Sequence, residues 1–338
     1  MKYLSLTLAV MAAPVTGLAE THNAVITDIV DGHILPRFET LATRTRSLSD
    51  AARTDCDPTS DTLRSAYGTA FDAWVSASHL RFGPTEVDDR AFALAFWPDS
   101  RGATPRALST LLADQDPIAT SVEDYTQVSI AARGFYAMEF LLYDKALMEA
   151  GDANYHCQLV QTISADIAAT SQSILEDWET RYKTTMQAPF LDGVYRSDEE
   201  VLQEMFKSLS TGLQFTSESR LGRPLGTFDR PRPTRAEARR SSRSAKHVDL
   251  SLQSLQDLAT RLAGNNGDIS TRLNASFDRP LSQLATLDDP TFASIAEPQS
   301  RLKIEIIQQS IQDIRSLVRD ELGPTLGVAA GFNSLDGD

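Results

Sequence analysis

The apolar residues of this chain recur with helical spacing along nearly its whole length, and this periodicity limits its fold more than any other feature. Side chains three and four positions apart share one face of a helix. No convincing run of alternating strand residues interrupts the pattern. We therefore predict an all-α fold with two helical-bundle domains of long antiparallel helices. The periodic sets are Leu63, Tyr67, Ala70, Trp74 and Ala77; Leu159, Ile163, Ile167, Ile174 and Trp178; Leu202, Phe206, Leu209 and Leu213; Leu255, Leu258 and Leu262; and Ile307, Ile311, Ile314 and Val318.

The chain of 338 residues is long enough for one large domain or two ordinary ones. We place an N-terminal bundle at residues 20–190 and a C-terminal bundle at residues 191–338. An arginine-rich connecting segment at residues 220–246 holds eight arginines and one lysine against Asp229 and Glu237. The whole chain, by contrast, has a formal charge of −14. This acidic balance argues against a nucleic-acid partner.

Residues 1–19 have the composition of a secretory signal peptide. A basic start at Lys2 precedes a mostly apolar stretch, and Gly17-Leu18-Ala19 provides small residues for cleavage. We predict cleavage near Ala19 and a periplasmic protein that is not embedded in the membrane afterwards. The alternative is a membrane anchor, for which the apolar run is short.

The two cysteines, Cys56 and Cys157, are predicted to form a disulfide. An isolated pair is usually oxidised in an exported protein. The bond would close a loop of roughly 100 residues. Two free thiols are the alternative.

Residues 133–143 are predicted to form a helix that carries a carboxylate inside its apolar stripe. At 100° per residue, Glu139 falls about 40° from Phe135. A carboxylate that faces a core must be paired, protonated or bound to a cation. Tyr136 lies three residues earlier, close enough to share a ligand with Glu139. Phenolate and carboxylate oxygens suit Fe³⁺, so both residues are candidate iron ligands. The alternative is a structural glutamate that a tyrosine or an arginine satisfies.

Two irregular segments are further candidates for ligand binding. The first, residues 79–106, is long for a loop and rich in aromatic residues. We expect Arg81, Trp97 and Asp99 to cover a pocket over the Glu139 helix; alternatively, Trp97 plugs the end of the bundle and the charges pair at the surface. In the arginine-rich segment we expect Arg232 and Arg235 to neutralise an anion. The alternative is that this segment docks on the protein's own acidic surface.

Several short stretches occur in an order that resembles a known family. Gly134, Tyr136 and Glu139 match the Gly-x-His-x-x-Glu motif of the imelysin-like proteins, except that tyrosine replaces the histidine. This family is periplasmic, is associated with iron uptake and was once classed as peptidases. The resemblance implies two helical bundles with the motif helix near their interface. The other matching stretches are Phe71-Asp72-Ala73-Trp74 with Phe82-Gly83-Pro84, Trp97-Pro98-Asp99, and the C-terminal Gly331-Phe332-Asn333-Ser334-Leu335-Asp336-Gly337-Asp338.

The resemblance implies a role around iron. Together with the carboxylate in the apolar stripe, it leads us to predict a non-enzymatic binding protein associated with iron uptake. Gly134 and Glu139 are carried over as site residues. We expect iron, or an iron-bearing or anionic small ligand, to bind in an interdomain cleft, with an inner- or outer-membrane iron-uptake component as a candidate partner. A metallopeptidase is one alternative, although zinc sites favour the imidazole that Tyr136 replaces. A scaffold or interaction protein with a structural Glu139 is the other.

Overall fold

The structure, a computed structural model, describes residues 16–328, with side chains described from residue 22 onward. Within these residues the chain forms helices and connecting turns but no strand, and one isolated bridge pairs Thr227 with Arg230. The all-α prediction is confirmed. The predicted signal peptide lies almost wholly outside the described residues, and the C-terminal stretch 331–338 lies entirely outside them.

The α-helices are α1 Thr16–Ile29, α2 Leu35–Thr54, α3 Asp61–Ala77, α4 Arg90–Leu94, α5 Ala103–Asp114, α6 Val122–Tyr125, α7 Gly134–Tyr143, α8 Lys145–Met148, α9 Ala153–Asp177, α10 Lys183–Gln187, α11 Asp198–Gln214, α12 Gly222–Leu225, α13 Ser244–Ala263, α14 Gly267–Ala285, α15 Pro298–Leu317 and α16 Gly323–Leu326. Wider π-helical turns continue some of these helices without a break, at Val30–Ile34, Trp178–Tyr182, Phe215–Leu221 and Val318–Leu322. Short 3₁₀ turns lie at Gly83–Thr85, Val87–Asp89, Pro117–Thr120, Ile130–Ala132, Pro233–Arg235 and Ala293–Ala296.

The predicted periodic sets form the buried faces of the long helices. Every member of the set in α3 is buried, and Ser60 caps this helix by accepting a hydrogen bond from the backbone N–H of Leu63. The set that begins at Leu159 is buried along α9, where Asp152 caps the first turn. Burial of these stripes against neighbouring helices stabilises the fold more than helix propensity does.

A disulfide joins Cys56, just after α2, to Cys157 near the start of α9. The two Cα atoms lie 5.2 Å apart across a sequence separation of 101 residues. The predicted pairing is therefore confirmed, and it fastens two helices that also pack along their lengths.

The helices form two packed groups that also contact each other. The first group consists of α2, α3, α7 and α9. In the second group, α13 packs against α11 and α14, and α14 packs against α15. Helix α3 packs against α13, and α1 packs against both α11 and α13. Because helices of each half contact helices of the other, the domain boundary at residue 190 stays a prediction. Of the helices in the described range, none is long and apolar enough to cross a membrane.

Candidate functional site

The motif helix α7 begins at a position that only glycine can occupy. Gly134 has a φ of 74°, in the left-handed region that side chains disfavour. A Cβ atom here would lie 2.2 Å from the carbonyl oxygen of Leu94 and 2.3 Å from that of Ala93. The missing side chain therefore lets the end of α4 pack against the start of α7, and this contact fixes where the motif helix points.

Helix α7 buries both of its candidate ligand residues. Tyr136 is 6% exposed and Glu139 is 2% exposed, so the prediction that Glu139 faces the core is confirmed. The Tyr136 hydroxyl donates a hydrogen bond to Glu237 Oε1 at 2.5 Å. The backbone N–H and the hydroxyl of Ser241 donate to Glu139 Oε1 at 2.9 and 2.8 Å. The arginine-rich segment therefore lies across the motif helix and binds it at two points.

Glu237 is the centre of a buried charged network. Its Oε2 accepts a hydrogen bond from Arg220 Nε at 2.7 Å, and His247 Nδ1 lies 3.3 Å from the same oxygen. Arg220 lies in the π-helical turn Phe215–Leu221, and such turns occur frequently at functional sites. Burial alone would raise the pKa of Glu237, but Arg220, His247 and the hydrogen bond from Tyr136 lower it to about 2. Glu237 is therefore a carboxylate at neutral pH.

The protonation of the two motif side chains follows from this network. Burial and the negative charge of Glu237 raise the pKa of Tyr136 well above its usual value, so its hydroxyl keeps its proton. Burial also raises the pKa of Glu139, and the hydrogen bonds from Ser241 oppose that rise. Both side chains are thus engaged by protein groups. In the part of the chain that the structure describes, no group of three or more His, Cys, Asp or Glu side chains is arranged to hold a metal ion.

Trp97 connects the irregular loop to the motif helix. Its ring stacks on the ring of Tyr136, with centroids 6.2 Å apart and planes 22° from parallel. The ring of Phe215 meets Trp97 edge-on at 5.8 Å. The guanidinium of Arg223 lies 5.7 Å from the Trp97 centroid. The loop therefore contacts the motif helix through Trp97, and the predicted ligand role of Trp97 stays a prediction.

The other two loop candidates make local contacts. Asp99 accepts hydrogen bonds from the backbone N–H groups of Ala103 and Thr104 at 2.9 and 2.8 Å, and so caps α5. Arg81 forms a partly exposed ion pair with Glu86 at 2.7 Å. Neither side chain makes a hydrogen bond or an ion pair with Tyr136 or Glu139, so both ligand roles stay predictions.

The arginine-rich segment divides into a paired part and an unpaired part. Arg240 pairs with Asp144 at 2.8 Å, and Arg243 forms an ion pair with Asp72. These contacts match the alternative in which the segment docks on the protein's own acidic surface. Arg232 and Arg235, however, are exposed, and neither side chain has an acidic partner among the residues described.

Sequence reasoning missed the residues that satisfy the motif helix. Thr234-Arg235-Ala236-Glu237 has the spacing of a capping box, which favours the start of a helix. No helix begins there, because residues 233–235 form a 3₁₀ turn and α13 begins at Ser244. The Glu237 side chain binds Tyr136 and Arg220 instead of capping a helix. The one available signal was that Glu237 is a lone acid among the arginines of residues 230–243.

Comparison with known proteins identifies the family of this chain. The profile described as imelysin, Peptidase_M75, matches residues 34–318. The chain belongs to the imelysin family. Among curated proteins, none matches this imelysin.

Two solved structures share its fold. One is an imelysin-like protein from Psychrobacter arcticum 273-4, with a TM-score of 0.78 and 21% identity, covering 96% of this chain and 100% of that one. The other is a putative iron-regulated protein A precursor from Parabacteroides distasonis ATCC 8503, with a TM-score of 0.74 and 13% identity, covering 91% of this chain and 95% of that one. At these identities the likeness shows the fold alone.

Proposed function

We propose that this imelysin is a non-enzymatic, exported binding protein associated with iron uptake. Its ligand is an anionic iron chelate that binds intact. The binding site lies where the loop of residues 79–106, α7 and the arginine-rich segment meet. The observation that carries this proposal is the position of that segment. In a chain with a formal charge of −14, it brings Arg223, which forms no ion pair with any described residue, to 5.7 Å from the centre of the Trp97 ring. That ring stacks on Tyr136. The periplasm, and delivery to a membrane component of iron uptake, belong to the same proposal.

Binding of the intact chelate fits the site better than binding of a bare ferric ion. An iron–phenolate bond requires Tyr136 to lose a proton that burial and Glu237 hold in place. Both oxygens of Glu237 already have partners, Tyr136 and Arg220. Moving Glu237 to a metal would leave Arg220 buried without its counter-ion, which is costly. A chelate keeps its own ligands around the metal and needs only charge and shape complementarity from the protein.

The association with iron rests on the family and on one relative. The protein from Parabacteroides distasonis is named as putatively iron-regulated. A metallopeptidase gains no support from the residues, since Tyr136 stands at the position of the motif histidine and its hydroxyl donates a hydrogen bond to Glu237. One observation favours a scaffold role: the backbone N–H and the hydroxyl of Ser241 both donate hydrogen bonds to Glu139, so a protein group satisfies this carboxylate.

Equilibrium dialysis of the mature protein against ferric citrate tests the proposal. We expect iron and citrate to be retained together, without the absorption band of a tyrosinate–iron bond. Tyr136→Phe should keep the retained iron, because the ring that stacks on Trp97 remains. A tyrosinate band that disappears in Tyr136→Phe would instead establish a bare ferric site. If neither iron nor citrate is retained while Glu139→Gln lowers stability, the protein is the scaffold.

A further inference from the structure

The half-buried side chain of Arg223 contains a buried N–H group that lacks a hydrogen-bond acceptor. Its Nε–H is buried and has no hydrogen-bond partner among residues 22–328, and its Nη2 donates a long hydrogen bond, 3.3 Å, to Ser100 Oγ. Its guanidinium faces the Trp97 ring at 5.7 Å from the centroid. An unsatisfied buried donor on a charged group is unfavourable. The side chain thus lies beside the ring with a hydrogen-bond donor that no described residue satisfies.

The backbone brings a second arginine to the same place. The chain turns tightly at Gly226, where a Cβ atom would lie 2.4 Å from the carbonyl oxygen of Arg230. The backbone N–H of Arg232 then donates to the carbonyl oxygen of Pro224 at 2.8 Å, which folds residues 230–235 back onto α12. The 3₁₀ turn that ends at Arg235 consequently packs against α12, which carries Arg223. Burial, together with the positive charge of Arg235, lowers the pKa of Arg223.

The acids next to this pair in the sequence and in the contacting loop do not compensate its charge. Asp229 is the one acid within residues 222–236, and it forms no ion pair with any residue of the described chain. The carboxylate of Asp99, in the neighbouring loop, is occupied by the N–H groups that begin α5. Two like charges brought together without a counter-ion repel each other. An anion that bridges them would remove that repulsion.

We propose that Arg223 and Arg235, with Trp97 as the adjoining wall, form a subsite for a carboxylate group of a small organic polyanion. The planar guanidinium donates two parallel hydrogen bonds to a carboxylate, and an aromatic ring on one side restrains its orientation. The inference rests on the proposed function, because it names the ligand group that the same site recognises. Unlike the proposed function, this subsite requires no iron, because the carboxylate group alone provides the charge and the acceptors that the two arginines bind.

Isothermal titration of the metal-free mature protein with citrate tests this subsite. We expect saturable binding that weakens as the salt concentration rises. Arg223→Gln and Arg235→Gln should each weaken binding by about tenfold or more. Arg279→Gln is the matched control, because Arg279 is an exposed arginine of α14 that forms no ion pair in the described structure; it should leave the affinity unchanged. Arg235 is exposed, so its substitution should not disturb folding.

The outcomes separate this subsite from the wider proposal. Citrate binding that depends on Arg223 and Arg235 supports the subsite even if ferric citrate is not retained. Retention of ferric citrate that is equal in wild type, Arg223→Gln and Arg235→Gln would overturn the subsite and leave the wider proposal standing. Absence of citrate binding to the wild type, or an equal loss in Arg279→Gln, would also overturn it. Inorganic phosphate binding as tightly as citrate would overturn the assignment to carboxylates.

Discussion

Replacing Glu237 by glutamine should destabilise the protein far more than replacing an exposed glutamate. Glu237 and Arg220 are 3% and 5% exposed, and their ion pair is 2.7 Å long. In Glu237→Gln, Arg220 keeps its charge but loses its counter-ion, and breaking a buried pair in this way costs roughly 3–5 kcal/mol. The lowered pKa of Glu237 expresses the same stabilisation. A change from 4.5 in the unfolded chain to about 2 in the folded protein corresponds to about 3 kcal/mol at neutral pH.

The matched control is Glu218→Gln. Glu218 pairs with Arg315 at 2.8 Å, but its side chain is 46% exposed, so the loss should be about 1 kcal/mol or less. Urea unfolding at pH 7, monitored by circular dichroism, gives the loss in unfolding free energy for both variants. The double variant Arg220→Met with Glu237→Gln should lose roughly 1–3 kcal/mol less than the sum of the two single variants.

The pH dependence provides a second check on the same residue. Because the folded pKa of Glu237 lies below its unfolded value, its contribution is complete above pH 4.5 and is lost as pH falls toward 2. The difference between wild type and Glu237→Gln should therefore shrink by about 1 kcal/mol between pH 7 and pH 3.5. A loss in Glu237→Gln no larger than in Glu218→Gln, or a difference that does not change with pH, would refute the buried-pair reasoning.

Three further outcomes are expected from unfolding experiments. Gly134→Ala should cost more than about 1 kcal/mol because of the positive φ and the two carbonyl contacts, whereas Gly267→Ala, with no atom within 4 Å of the added carbon, should change stability by less than about 1 kcal/mol. Removing the Cys56–Cys157 disulfide by a double serine substitution should lower the free energy of unfolding by roughly 4 kcal/mol; no loss would mean that the loop is already constrained when unfolded. Burial lowers the pKa of His33 from 6.5 to about 4, so wild-type stability is complete above pH 6.5 and should fall by about 2 kcal/mol by pH 5; His33→Gln should flatten this dependence in urea titrations.

The sequence predicted those parts of the fold that depend on neighbours along one helix. Leu63 and Trp74 follow the spacing of a helix face, and both lie in the core beneath α3. The same reasoning placed Glu139 toward the interior, because its angle from Phe135 depends only on helix geometry.

The partners of the motif helix could not be predicted in this way. Glu237 lies 101 residues from Tyr136, and Ser241 lies 102 residues from Glu139. Local spacing gives no information about contacts that tertiary packing creates. The capping-box spacing at residues 234–237 starts no helix for a related reason. The carboxylate of Glu237 binds Tyr136 and Arg220 instead, and neither is near it in the sequence. Left-handed backbone at Ala238 and Ser242 is a further feature that residue type alone does not indicate.

Because residues 237–241 make the hydrogen bonds that satisfy Tyr136 and Glu139 of α7, the two halves of the chain cannot be separated without loss. An isolated fragment of residues 20–190 would contain Tyr136 and Glu139 but none of the groups that satisfy them. Each would be buried without a partner, or would force α7 to open to water, and either change costs free energy. The signature helix of the first half is therefore completed by the second half. A fragment or chimaera that contains α7 must therefore also contain residues 237–241 if the site is to be preserved.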